Sequence, residues 1–159
     1  MIRLKRVLIV LSMIFILIGC SNQEEQKKEV YTDIKKELLN KEKFTDINDI
    51  PFNITTNVKR TSLEQIKYEV LIDTPSIEMK NIKVLVLHNY QTTEIFPSIG
   101  IFEDAPSLEV GTDKNVKVEG YIDTSYDIID LNLIIKIYVE YTDQDNIIHH
   151  VYYQSTKYE

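Results

Sequence analysis

The sequence predicts a mainly β protein, an immunoglobulin-like β-sandwich of about seven strands preceded by a short amphipathic helix. Three observations favour this fold class. From Ile50 onward apolar residues alternate with polar ones, four prolines fall between the apolar runs, and an earlier segment has apolar residues at helical spacing. The alternative is an open α+β sheet with the same helix across one face.

The predicted helix covers Glu29 to Lys43. Its apolar residues recur at the spacing of one helix face: Val30, Tyr31, Ile34, Leu38 and Leu39. We expect this helix to pack on the sandwich. The alternative is a nascent helix, because a helix shorter than about 12 to 15 residues is marginal in water without packing.

The strand pattern occurs in separate runs along the rest of the chain. In chain order they are Phe52–Lys59, Ile66–Asp73, Ile82–His88, Glu94–Phe102, Val116–Asp123, Asp130–Tyr141 and Ile147–Ser155. In Asp130–Tyr141 the odd-numbered residues from Leu131 onward are apolar and predict a core-facing side. Ile82–His88 is apolar on both faces, as expected of a central strand. Gly120 predicts a β-bulge within its strand.

A hairpin turn is predicted at Asp143 to Asn146, because asparagine tolerates the left-handed conformation that ends a three-residue loop. Such a loop pairs Asp143 with Ile147. The register that follows sets Val139 against Val151 and Ile137 against Tyr153 on the core face, and Tyr138 against Tyr152 and Glu140 against His150 on the other. A loop of two or four residues would shift the register by one and exchange the two faces.

The non-core face of this hairpin is a candidate binding surface. It would present Tyr138 and Tyr152 beside the charged pair Glu140 and His150. Tyrosines are enriched at binding interfaces and in their energetic hot spots, so this composition favours contact with a partner protein. The alternative is that the two tyrosines brace the sheet surface or pack under the helix.

Residues 1–19 have the composition of a cleaved export signal. Arg3, Lys5 and Arg6 precede an apolar run from Val7 to Ile18, and the polar stretch Ser21–Glu25 follows shortly after. The apolar run is shorter than the roughly 20 residues that a membrane-spanning helix needs. A permanent transmembrane span is therefore not expected.

The end of this segment reads Leu17-Ile18-Gly19-Cys20, which resembles the lipobox of bacterial lipoproteins. The resemblance implies cleavage before Cys20, a diacylglyceryl group on its thiol, fatty acyl chains such as palmitate, and attachment to the outer face of the cell membrane. Two or three acyl chains give durable attachment, since each buried CH₂ contributes about 0.8 kcal/mol. The alternative is an ordinary cysteine after a simple anchor helix. As the single cysteine, it has no internal disulfide partner.

The predicted organisation is a signal peptide at 1–19, a polar tether at 20–28, the helix at 29–43 and the β-sandwich domain at 50–159. Lys and Arg total 18 and Asp and Glu total 25, so without the three leader cations the net charge is about −10. This charge disfavours nucleic acid and anionic lipid headgroups as partners. Frequent isoleucine, lysine and asparagine with scarce arginine suggest a low-GC Gram-positive source.

No metal or cofactor site is expected. The histidines are His88, His149 and His150, and neighbours on one strand point to opposite faces, so the last two cannot bind the same ion from that strand. The segment after Thr142 opens like a calcium loop, but Ile148 and Gln154 occupy the positions where that loop needs glycine and glutamate.

No catalytic residues are predicted either. The sequence has no G-x-S-x-G elbow and no glycine-rich phosphate loop, and it contains only four glycines. Acidic residues are scattered singly, so a glycosidase pair does not stand out. We therefore do not expect an enzyme.

The last three predicted strands resemble small immunoglobulin-like domains of bacterial envelope proteins, over Val116–Asp123, Leu131–Asp143 and Ile147–Ser155. This resemblance and the lipobox imply a lipid-anchored interaction module that contacts another envelope protein. A specific form would be an exclusion lipoprotein of a mobile element or prophage. The alternative is a binder of a small ligand or a cell-wall polymer. A pocket lined by aromatic and convergent polar groups would favour the alternative, and a flat surface would favour the first hypothesis.

Overall fold

The computed structural model describes residues 23–62, 64–90, 92, 94–123 and 132–158. The predicted leader, its Leu17-Ile18-Gly19 motif and Cys20 lie outside these residues. In chain order the described part has a helix α1 at residues 23–39, a 3-10 turn at Ile47–Asp49, and strands β1 (Asn53–Ser62), β2 (Gln65–Asp73), β3 (Lys80–His88), β4 (Ser98–Ile99), β5 (Val116–Asp123), β6 (Asn132–Thr142) and β7 (Ile148–Tyr158).

The strands form two antiparallel sheets, in the orders β1-β2-β5 and β4-β3-β6-β7. The chain crosses between the sheets after β2, β4 and β5. The prediction of a seven-stranded β-sandwich with one helix is confirmed. The single open sheet of the alternative is not found.

The core lies between the two sheets and follows from the alternation in the sequence. Every second residue of β2 and of β5 is buried, and so is every second residue of β6 from Leu133 to Tyr141. The central strand β3 is buried on both faces from Val84 to His88, as predicted. One face packs against the opposite sheet, and the other lies beneath α1.

Helix α1 packs across the outer face of the four-stranded sheet, so the prediction of a packed helix is confirmed. Its buried residues Tyr31, Ile34 and Leu38 join Leu85 and Tyr138 of the sheet in a second apolar cluster. This arrangement gives the molecule three layers: the helix, the four-stranded sheet and the three-stranded sheet.

The helix bounds differ from the prediction at both ends. Residues 23–28, predicted as tether, are helical, and Lys27 Nζ donates to the Phe102 backbone oxygen at 2.6 Å. The helix ends at residue 39 instead of 43. Lys136 Nζ on β6 donates to the carbonyl oxygens of Leu38, Leu39 and Lys41 at 3.0 to 3.4 Å. A cation at these carbonyls complements the negative end of the helix dipole.

The β6–β7 hairpin has the predicted turn and register. Asn146 has φ +62°, and Asp143 N–H donates to the Ile147 oxygen at 3.0 Å. The four predicted pairs are all formed: Val139 with Val151, Ile137 with Tyr153, Tyr138 with Tyr152, and Glu140 with His150.

The strand predicted at Glu94–Phe102 is reduced to the two residues of β4. Pro97 has no N–H to donate to a ladder, and the chain turns at Gly100, which has φ +72°. The Gly100 N–H donates to the Glu103 carboxylate at 2.7 Å. Because of this turn, only two residues of the segment pair with β3.

The predicted bulge at Gly120 is wrong. Pairing of β2 with β5 is uninterrupted, and Gly120 lies directly opposite Tyr68. A Cβ atom at position 120 would overlap the end of the Tyr68 ring. The glycine is therefore needed because the tyrosine side chain folds over it inside the sandwich.

Candidate functional site

The predicted tyrosine surface is assembled in register, but α1 covers part of it. Tyr138 is only 2 % exposed and lies in the cluster beneath the helix, whereas Tyr152 is half-buried beside it. Their rings pack edge to face with centroids 5.4 Å apart. Tyr138 is thus not a surface contact residue, and the alternative that it packs under the helix is correct.

Tyr138 is the centre of a hydrogen-bonded network on this face. Its hydroxyl donates to Glu140 Oε2 at 2.7 Å and lies 2.9 Å from His150 Nδ1. Lys83 Nζ donates to Glu140 Oε1 at 2.7 Å. The hydroxyl has one proton and gives it to the carboxylate, so the contact with His150 is a hydrogen bond in the tautomer whose Nδ1–H donates to the tyrosine oxygen.

Burial and neighbouring charges set the protonation states of Tyr138 and Glu140. Burial raises the pKa of Tyr138, and the adjacent Glu140 carboxylate raises it further. Burial by itself would raise the pKa of Glu140, but the hydrogen bonds from Lys83 and Tyr138 outweigh burial and lower it. At neutral pH a neutral phenol therefore bridges the carboxylate and the histidine, and the network serves to hold the sheet surface together.

Tyr152 connects the helix to the edge strand β7. Its hydroxyl donates to Glu37 Oε1 at 2.5 Å, and Lys41 Nζ lies 3.4 Å from the centroid of its ring. Its backbone N–H donates to Thr45 Oγ1 and its carbonyl accepts from Thr45 N–H. The segment after the helix thus covers an otherwise open sheet edge. Of the predicted surface, His150 is exposed, and Tyr152 and Glu140 are partly exposed.

The Glu140 network makes a testable contribution to stability. Because its folded pKa is lowered, ionised Glu140 stabilises the fold above its unfolded pKa of about 4.3, and this stabilisation is lost as pH falls through the folded pKa. We expect Glu140→Gln to cost about 1–2 kcal/mol at pH 7 and clearly less at pH 3. Urea unfolding at both pH values measures the difference.

The control is Glu109→Gln, whose exposed carboxylate pairs with Lys114 at 3.8 Å. It should change stability by less than about 0.5 kcal/mol at either pH. A Glu140→Gln penalty that is equal at pH 3 and pH 7 would show that packing, and not the ionised carboxylate, is responsible.

A different site lies at the end of the sandwich where β2 begins and where β3 and β5 end. We call it the inter-sheet cleft, and it consists of a cavity of about 630 Å³ and an adjoining recess of about 150 Å³. Both are lined by His88, Thr92, Glu94 and Tyr121, and the larger cavity is also lined by Gln65, Ile122 and Asp123. Volumes of 300 to 1,000 Å³ are usual for small-molecule sites.

Two polar atoms at the base of the cleft have no hydrogen-bond partner among the residues described. They are Tyr68 Oη and His88 Nδ1, on side chains that are 1 % and 8 % exposed. The Tyr68 and His88 rings pack edge to face at 5.5 Å, and Phe96 packs against the other side of the histidine at 5.0 Å. An unsatisfied buried polar group costs about 1–3 kcal/mol, so Tyr68 Oη and His88 Nδ1 lower the stability of the unliganded domain, and both side chains line the cleft.

Burial also sets the charge of these two groups. It raises the pKa of Tyr68 and lowers the pKa of His88, the latter partly offset by a backbone hydrogen bond at Tyr90. Both groups are consequently neutral at pH 7. A neutral imidazole has one donor and one acceptor nitrogen, and a phenol can both donate and accept.

The rim of the cleft is acidic. Within the described ranges no ion pair is formed by Glu94 or Asp123. Glu119, which lines the recess, differs from them: it lies 2.8 Å from Lys67 Nζ and 2.6 Å from Lys117 Nζ, and the two hydrogen bonds lower its pKa to about 2. Glu94 and Asp123 therefore give the cleft mouth a negative charge.

The sequence did not point to this cleft. Its residues come from the ends of β2, β3 and β5 and from the segment before β4, so no short motif joins them. No metal-binding role was predicted for His88, and in the structure this histidine is buried, with a ring nitrogen that has no partner among the described residues. The one available signal was a histidine that ends a strand apolar on both faces.

The other histidine site is a structural one. His149 stacks on Tyr141 with centroids 5.0 Å apart, and its Nε2 lies 2.7 Å from Asp143 Oδ2. The second oxygen of Asp143 accepts the N–H groups of Asp145 and Ile147 within the turn. In the part of the chain that the structure describes, no group of three or more metal-ligating side chains comes together.

Comparison with protein-family models, with curated proteins and with solved structures gives no significant match for this chain. Among the helices of residues 23–62, 64–90, 92, 94–123 and 132–158, none combines the length and apolar character needed to cross a bilayer.

Proposed function

We propose that this chain is a lipid-anchored binding module, attached through Cys20 to the outer face of the cell membrane, and that the inter-sheet cleft is its binding site. The lipobox resemblance of Leu17-Ile18-Gly19-Cys20 supports the attachment. The observation that carries the binding site is the pair of unpartnered buried atoms, Tyr68 Oη and His88 Nδ1, at the base of a cavity.

This proposal favours a small polar ligand, or a segment of a cell-wall polymer, over a flat protein contact. The cleft has aromatic walls and convergent polar groups, which is the feature expected of a ligand site. The hairpin surface with Tyr138 and Tyr152 is largely used to hold α1 on the sheet. A ligand in the cleft would not displace the helix, because no residue of α1 is among the described residues that line it.

Contact with another envelope protein, including an exclusion function for a mobile element or prophage, is the second candidate. It is favoured by Ile147 and Ile148, adjacent apolar residues that are 56 % and 58 % exposed at the β6–β7 turn. This turn lies at the opposite end of the sandwich from the cleft, since Ile148 pairs with Thr142 whereas His88 pairs with Ile135. The two candidates therefore use separate surfaces.

Attachment is tested by metabolic labelling with a palmitate analogue in the native bacterium, followed by mass spectrometry of the full chain. We expect the wild type to carry label, lack residues 1–19 and remain with membranes, whereas Cys20→Ala carries no label. Ser21→Ala is the control and should be labelled like the wild type. A wild-type chain with its leader attached and an unmodified thiol would refute the lipid anchor.

The two binding candidates are separated by photo-crosslinking in intact cells. A photoreactive residue is placed either at position 121, at the mouth of the cleft, or at position 148, on the hairpin turn. Adducts of a small molecule or a wall polymer at 121 alone support the cleft. A discrete protein adduct at 148 with nothing at 121 would contradict the cleft and favour the envelope-protein contact.

A further inference from the structure

We infer that the inter-sheet cleft recognises a primary ammonium group on its ligand. This inference rests on the proposed function of the cleft and specifies the chemistry of what it binds. Three features of the cleft carry it: its unpaired carboxylates, its buried acceptor atoms and its volume.

The two carboxylates of the cleft favour a ligand group with a positive charge. Glu94 and Asp123 line the cavity, and ionised carboxylates only accept hydrogen bonds. An anionic ligand would meet two negative groups without a compensating cation among the described lining residues. A cation gains from both, and the formal net charge of −7 of the whole chain adds to its attraction.

The acceptor atoms favour an ammonium group with several N–H donors. Such a group has three donors and no acceptor. Tyr68 Oη can accept a hydrogen bond, and so can His88 Nδ1 when the ring hydrogen is on Nε2. Both side chains line the recess, and a rim carboxylate can accept another hydrogen bond. Tyr121, whose ring lies at the mouth and is about half exposed, adds an aromatic surface of the kind that attracts cations.

The volume excludes a bare metal ion as the natural occupant. A cavity of about 630 Å³ is far larger than a coordination sphere, and among the described side chains no set of three ligands converges. The ligand therefore has a substantial body beyond its ammonium group. The amine can belong to an amino sugar of an envelope polymer or to a diffusible polyamine, which share this chemistry.

Isothermal titration calorimetry on the full-length chain in neutral detergent tests the inference with three probes. The probes are glucosamine, N-acetylglucosamine and spermidine. We expect binding of glucosamine or spermidine, and at least about tenfold weaker binding of N-acetylglucosamine, because acetylation removes the charge and two N–H donors. Tighter glucosamine binding indicates an amino-sugar polymer, and tighter spermidine binding indicates a diffusible polyamine.

Charge-removing variants locate the binding. Glu94→Gln and Asp123→Asn should each weaken binding of the better amine about five- to tenfold. The matched control is Asp113→Asn, which removes a carboxylate that does not line the cleft and should leave affinity unchanged. An equal loss in Asp113→Asn would show general attraction to an acidic surface and would overturn the assignment.

Tyr68→Phe gives a readout that a purely structural role would not produce. It removes a buried hydroxyl without a partner, so the unliganded chain should unfold at the same or a higher temperature, while amine binding weakens severalfold. A lower unfolding temperature with unchanged affinity would contradict the role given to this hydroxyl.

The remaining outcomes separate this inference from the function on which it rests. If N-acetylglucosamine binds as tightly as glucosamine, or if no amine binds at millimolar concentration, the ammonium assignment is wrong. Small-molecule or polymer adducts at position 121 would still support a binding cleft in that case. Without such adducts, the proposed function fails together with the inference.

Discussion

Gly100→Ala should destabilise the protein by about 3–5 kcal/mol. Gly100 has φ +72°, where a side chain is strained, and a Cβ atom at this position would overlap the Ile82 carbonyl oxygen. That oxygen belongs to backbone of the central strand β3, so it cannot move away as a flexible side chain would. The expected cost is therefore the sum of backbone strain and a steric overlap.

A matched control separates these two contributions. Gly111 has nearly the same backbone conformation, φ +75°, but nothing lies within 4 Å of the position that its Cβ would occupy. Gly111→Ala should cost only about 1 kcal/mol. Urea unfolding of both variants measures the difference, and equal losses would show that the contact with Ile82 does not constrain position 100.

The second large effect is expected for Leu38→Ala, at about 2–5 kcal/mol. Leu38 is fully buried between α1 and the four-stranded sheet, where it belongs to the same cluster as Tyr138 and Leu87. Truncation leaves a cavity at the centre of the helix contact. Urea unfolding followed by circular dichroism measures the loss, and limited proteolysis should show earlier cleavage within residues 23–39.

The adjacent Leu39→Ala is the control for Leu38→Ala. Leu39 is 52 % exposed, and the same chemical change in the same helix turn has the same effect on helix propensity. It should shift stability by no more than about 0.5 kcal/mol. If the two variants were equally stable, the helix would not depend on burial of Leu38 for its attachment.

Local signals were sufficient for much of the strand pairing. Asn146 fixes the length of the β6–β7 loop, and since side chains alternate along a strand, the loop length determines which residues face the core. Alternation likewise placed the core faces of β2 and β5. These features depend on residues that are close in sequence, so a sequence pattern can contain them.

The errors concern contacts between distant residues. The helix starts before residue 29 because its first turns are held by Phe102, and it ends early because Lys136 binds its last carbonyls. Gly120 is explained by Tyr68 on the neighbouring strand and not by its own strand. The sequence patterns of the helix and of β5 do not indicate these distant contacts.

The candidate site was even harder to predict from the sequence, because it too depends on contacts between residues that are distant in the chain. Tyr138 and Tyr152 were correctly paired, but the sequence left open whether they would be exposed, because exposure depends on where α1 lies. The cleft brings Gln65, His88 and Asp123 together only because the strands that carry them begin or end at the same end of the sandwich. Its unpartnered atoms are a property of the packed molecule.

Because α1 begins early in the chain, the proposed lipid anchor would restrict how far the domain can move from the membrane. Only two residues separate Cys20 from residue 23, the first helical residue described, and three residue steps of extended chain span about 10 Å. Lys27 of the helix is hydrogen-bonded to the Phe102 backbone oxygen. A linker this short would therefore not let the domain rotate freely above the lipids. The anchored domain would stay close to the bilayer. It would therefore meet molecules confined to the membrane surface more often than molecules in the outer wall.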